Sequence, residues 1–199
     1  MGMAGWNCNS LGPIKSQRRF IRKIRGRNDN IIILIDTRLG RKDEEAFRKV
    51  LGERVFLHSS SKRGIAVLIK DSAPVTDLES ENVIPGNFSK LSMVIKGKKV
   101  LLKCIYAPNE DSKPNDPENE STKFFNTIMD DTDEEAYAHK FTVGDFNVAP
   151  NHDTDTVRYL HINNPNSREL LNRKINLCNL VDIWRERNPL SRQYTFNKK

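Results

Sequence analysis

Cysteine is scarce in this chain. Three occur in 199 residues, Cys8, Cys104 and Cys178, odd in number and too widely spaced for a disulfide framework or a zinc site. They read as small, reduced core residues of an intracellular protein. Long apolar runs are missing as well: none approaches the roughly 20 residues that a spanning helix requires, which excludes a membrane role. No charged-then-apolar leader precedes Trp6, so neither secretion nor organelle import is expected. No internal repeat is visible, and the stretch from Glu110 to Glu120 is the one low-complexity tract. What remains is a globular composition, 37% hydrophobic and 30% charged, with enough chain for one ample core and no reason to divide it. A single domain over 1–199 is expected.

The charge is uneven. Lys and Arg number 33 against 26 Asp and Glu, a net charge of +7 with a pI near 9.4. Arg18, Arg19, Arg22, Lys23, Arg25 and Arg27 crowd one early segment, whereas Glu110 to Glu120 is acidic and punctuated by proline. A cationic cluster of this kind draws polyanions by counterion release, or else is simply the solvated face of a helix.

Periodicity places the elements. Residues 2–8 read as a first strand, and Pro13 followed by Ile14, Phe20, Ile21 and Ile24 as an amphipathic helix with its arginines outward. The run "IIILI" at 31–35 has the continuous apolarity of a strand covered on both faces, and delivers Asp36 at its carboxyl end. Residues 43–52 read as helix and 64–69 as strand, and alternation on both sides of Lys96-Gly97-Lys98 signals a β-hairpin. A polar loop over 107–120 leads to a helix from Ser121. "HKFTVGDF" is the next strand, 150–166 another loop, and 166–189 supplies helical segments with Ser167 as an N-cap. "QYTF" at 193–196 reads as a late strand. Mixed helices and strands with at least one antiparallel hairpin give an α/β or α+β class with packed sheets.

Polar residues recur where predicted strands end: Asn7 and Asn9, Asp36, Tyr106 and Asn109, Asp145 and Asn147. Each is also an ordinary turn or cap residue. Members of the pairs 7/9 and 145/147 lie two apart, and so project from one side of an extended chain. Carboxylates, amides and a phenol suit a hard divalent cation, which takes oxygen ligands, and a phosphodiester, which needs a base to align the attacking water.

The blocks "WNCNSL", "IDTRL", "RGIAVLI", "IYAPN", "GDFN" and "LVDIWRERNP…YTF", in that order from Trp6 to Phe196, resemble the endonuclease/exonuclease/phosphatase superfamily. More narrowly, the chain is similar to the apurinic-endonuclease-like nuclease domain of non-LTR retrotransposons of the long interspersed element type. The resemblance implies a DNase I-like four-layer sandwich, two packed mixed sheets flanked by helices, with a cleft at one end. It implies Mg²⁺-dependent nicking of double-stranded DNA, with Mn²⁺ as a substitute, to prime reverse transcription. It further implies a nuclear location and a reverse transcriptase domain in the parent polyprotein.

Residue by residue, the resemblance makes Asp36 the metal-binding acid, with Asn7 and Asn9 beside the metal. Tyr106 becomes the phosphate-side phenol, Asp145 the group that orients or deprotonates water, and Asn147 a phosphate holder. Arg38, Arg63, Asn109 and Thr195 become DNA contacts, with Lys62 and the Arg18–Arg27 segment as further backbone contacts. Two departures stand out. Asp36 replaces the usual glutamate and is one methylene shorter. The family's final aspartate and histidine are not reached before Lys199, so the C-terminal strand and an imidazole are expected to be missing, as in a truncated copy. A catalytically dead remnant that still binds nucleic acid, and a phosphatase acting on a small substrate, are the alternatives.

Overall fold

The computed structural model describes residues 1–51, 54–60, 62–109, 120–128, 136–157 and 164–192. The chain forms two compact units. The first comprises Met1–Tyr106 with Asp133–Asp145, the second Ala107–Thr132 with Phe146–Lys199.

The first unit is a β-sandwich. Strands β1 (Met3–Asn7), β2 (Ile31–Ile35), β3 (Arg54–Ser59) and β4 (Gly64–Ile69) form one four-stranded sheet in the order β1-β2-β4-β3. Strands β5 (Val75–Ile84), β6 (Phe88–Ile95), β7 (Lys98–Tyr106) and β8 (His139–Asp145) form the other, in the order β5-β6-β7-β8. Each sheet is mixed, with one parallel pair at one edge: β1 with β2 and β7 with β8.

Alternation sends one face of each strand inward. Ile31, Ile33 and Ile35 of β2 meet Leu91 and Met93 of β6 and Val100, Leu102 and Cys104 of β7 in the core between the sheets. The opposite face of β2, Ile32 and Leu34, joins Ile21 and Ile24 of helix α1 (Ile14–Arg25) and Phe47 of helix α2 (Arg41–Leu51). This two-sided burial explains the unbroken apolar run of β2, and each buried Ile or Phe contributes about 1.5–3 kcal/mol.

Pro13 precedes α1 with φ −68°, already preset for a helix start, and the basic residues Arg18, Arg19, Arg22, Lys23 and Arg25 are exposed, with Ile21 and Ile24 inward. Gly144 in β8 is required by close approach. A Cβ there would lie 1.9 Å from the Ile105 carbonyl oxygen, so no other residue lets β8 run this close to β7.

In the second unit, helices α3 (Glu120–Ile128) and α5 (Pro165–Leu177) are joined by a buried bond of 2.6 Å between the Ser121 and Ser167 hydroxyls. Helix α4 (His152–Asp155) is capped by Asn151 and helix α6 (Ile183–Arg187) by Asp182, and Arg185 pairs with Asp155.

Several expectations change. Strands β3 and β5 were not read from the sequence. The expected loop over 150–166 contains α4. Ser167 lies inside α5, whose N-cap is Asn164, while the helical segments expected over 166–189 are α5 and α6. Only Cys104 is a fully buried cysteine; Cys8 and Cys178 are half-buried, and none of the three is in a disulfide. The "QYTF" strand falls outside the described residues.

Candidate active site

The carboxyl ends of β1, β2, β7 and β8 carry Asn7, Asp36, Tyr106 and Asp145. Register places them: Asn7 pairs with Ile35, the residue before Asp36, and Tyr106 pairs with Asp145. Across the sandwich, the Asn7 side-chain amide donates to Asp145 Oδ2 at 2.7 Å. Asn7 Oδ1 accepts the Asn9 backbone N–H at 2.9 Å, which fixes the orientation of the amide.

Asp36 is differently placed. It is 3% exposed and, with Arg38, takes a left-handed backbone conformation, φ +57° and +48°. That turn folds Arg38 back on Asp36, with Nε donating to Oδ1 at 2.7 Å and Nη2 to Oδ2 at 2.9 Å. The Tyr106 phenol interacts with both. Burial, then the Asp36 charge, raise the phenol's pKa, keeping it a neutral donor; hydrogen bonding to Asp36 raises that of Arg38. Burial together with Asp36 also pushes the Cys8 thiol up to about 12, so it stays protonated and inert.

The turn is pinned from below. Thr37, fully buried, bonds Ser59 Oγ at 2.8 Å and donates its N–H to the Gly64 carbonyl at 3.1 Å. A Cβ at Gly64 would strike both hydroxyls, at 2.1 and 2.3 Å. Tyr106 is held by Asn87, whose carbonyl accepts the Tyr106 N–H at 2.7 Å and whose side chain donates to the Tyr106 carbonyl. Sequence reasoning missed Thr37, Ser59, Gly64 and Asn87. The "PGN" turn was a signal for Asn87; the Thr37 contacts join residues far apart and left none.

The remaining candidates sit as follows. Arg63 donates to Asn87 Oδ1 at 2.7 Å, so it braces the Tyr106 support. Asn9 and Asn147 both have left-handed backbones, φ +47° and +50°. The strands therefore stop at Asn7 and Asp145, and the expected extended alternation does not continue through them. In the second unit, Asn147 donates to the Ala107 carbonyl at 2.6 Å and accepts from Asn164; Asn109 is exposed. Thr195 lies outside the described residues.

The arrangement does not fit the Mg²⁺ ion expected at Asp36. Both carboxylate oxygens there are taken by a guanidinium, and the Asn7 carbonyl oxygen is taken by a backbone N–H. Among the described residues no cluster of three His, Cys, Asp or Glu could hold a metal.

No protein-family model matches the chain. Solved structures do match in fold. An AP endonuclease from Archaeoglobus fulgidus superposes with a TM-score of 0.73 at 20% identity, over 100% of this chain and 79% of that one. AP endonuclease LMAP from Leishmania major gives 0.73 at 15%, over 94% and 69%. TDP2 of D. rerio complexed with a single-strand DNA product gives 0.57 at 17%, over 73% and 60%. The chain shares with these enzymes a DNase I-like fold of two mixed β-sheets flanked by helices.

Proposed function

We propose that the chain is a DNA endonuclease domain that hydrolyses a phosphodiester to nick duplex DNA. The observation that carries this reading is Asp145, a carboxylate at the end of β8, aimed by the Asn7 amide and in register with Tyr106 on the adjoining strand. In this reading Asp145 orients the attacking water and takes its proton, while neutral Tyr106 donates to a phosphate oxygen. For Asn147 and Asn109, which belong to the second unit, the phosphate and backbone contacts remain expectations from the resemblance, and the cations of α1 contribute sequence-independent phosphate contacts. Thr195 keeps its role near the nick as an expectation from the resemblance. Arg63 acts by positioning, through Asn87. The finer assignment, a nuclease domain of a non-LTR retrotransposon acting before reverse transcription, rests on the order of the six sequence blocks. Mg²⁺ or Mn²⁺ dependence belongs to that assignment, and Asp36, the acid that would hold the ion, is paired with Arg38.

A second reading, a nucleic-acid binder without chemistry, is favoured by that same pairing. A plasmid-nicking time course separates the two. Nicking that is abolished in Asp145→Ala is the expected result; salt-dependent DNA binding without nicking in either protein selects the binder.

A further inference from the structure

We propose that Arg38 is the resident cation of this site: it holds Asp36 where a divalent ion would otherwise bind, and the two compete for the same carboxylate. Four observations converge. First, the Asp36 carboxylate is buried, and a charge removed from water needs a partner. Second, that partner is supplied in full by Arg38, whose Nε and Nη2 meet the two oxygens at 2.7 and 2.9 Å in the fork geometry that suits a carboxylate. Third, the pairing is built into the backbone. Two side-chain-bearing residues in left-handed conformations flank Thr37, which is locked to Ser59 and Gly64, so the fold sustains a turn that isolated chain disfavours. Fourth, Mg²⁺ takes oxygen ligands in near-ideal octahedral geometry, and at the buried Asp36 the guanidinium fork already engages both oxygens.

The chemical consequence is a fixed positive charge with one edge on Asp36 and the other turned outward. The Arg38 side chain is 41% exposed. Guanidinium has five N–H donors, and those not used on Asp36 are available to Tyr106 and to an oxyanion such as a phosphodiester oxygen. A bound metal would present the same sign of charge to the same class of ligand, but would be removed by chelators; Arg38 is not.

The test needs no catalysis, so its outcome is independent of the nuclease reading. Mn²⁺ is titrated into the 199-residue chain and its variants, with the free ion followed by electron paramagnetic resonance. Weak binding is expected for the unmodified chain. Arg38→Gln should bind Mn²⁺ at least about tenfold more tightly, and the gain should vanish in the double variant Asp36→Asn/Arg38→Gln. Equal affinity of the unmodified chain and Arg38→Gln overturns the proposal, as does a gain that survives Asp36→Asn. If thermal melting shows Arg38→Gln unfolded, Arg38→Lys replaces it. Lysine keeps the charge but loses the fork, so tighter Mn²⁺ binding is again expected, and unchanged affinity again refutes the competition.

Discussion

The two sheets follow one plan and use it differently. Each has four strands, each closes one edge with a parallel pair, and each of those pairs leads to an aspartate. In the first sheet the aspartate comes one residue after the strand, on a left-handed turn, buried and bound by Arg38. In the second it is the last strand residue, half-buried, and one of its oxygens accepts from the Asn7 amide. A guanidinium fork grips both oxygens of Asp36, whereas the Asn7 amide orients Asp145 through one of its oxygens. The same side chain therefore anchors a cation in one sheet and, in the proposed function, serves as the base in the other.

Replacing Asp145 breaks the comparison most sharply. Asp145→Asn preserves shape and removes the base, so nicking should fall by about a hundredfold to ten-thousandfold, with thermal stability nearly unchanged. A small change in rate would mean that the second sheet does not supply the base.

Next is Gly144→Ala, which leaves Asp145 in place but drives a methyl into the Ile105 carbonyl. A loss of about 3 kcal/mol in urea unfolding is expected. A neutral result would show that β7 and β8 can separate at little cost.

Asp36→Asn probes the first sheet. Arg38 loses its ionic partner but is exposed enough to be rehydrated, which limits the loss to about 1–2 kcal/mol. If this change cost as much activity as Asp145→Asn, the two carboxylates would share the chemistry and the contrast would collapse.

The smallest effect concerns His58 of β3, whose Nδ1 lies 2.7 Å from Ser89 Oγ of β6. Burial first, and the Arg48 charge second, lower its pKa below the ordinary 6.5. A folded value below the unfolded one means that the folded state resists protonation. The contribution of His58 is therefore fully present above 6.5 and is lost as the pH falls through the window beneath it. Urea midpoints measured on either side of that window should show a small decline that His58→Gln reduces. An identical decline in the variant would assign it to other groups.

Much of this was legible in the sequence, for identifiable reasons. The strand β2 announced itself because both its faces are covered, and the β6–β7 hairpin because Gly97 marks its turn. Asp145 stood out as a charge directly after an apolar strand. Strand β5 stayed hidden because it is a largely exposed edge strand, with Asp77, Glu79 and Glu81 in place of an apolar alternation. The pairing of Asp36 with Arg38 was not legible, because Arg38 reaches it only through a left-handed turn that the local sequence does not announce. That turn depends on Ser59 and Gly64, more than twenty residues downstream.

The bond between Asn7 and Asp145 spans 138 residues of chain. Closing so long a loop costs entropy before any contact repays it, and such pairings slow folding. The β6–β7 hairpin can form locally and early, but Asp145 is aimed only after the last strand has joined its sheet and the two sheets have met. In a refolding experiment, recovery of the catalytic geometry should therefore lag behind recovery of β-structure, with activity marking completion of the sandwich and circular dichroism marking its beginning.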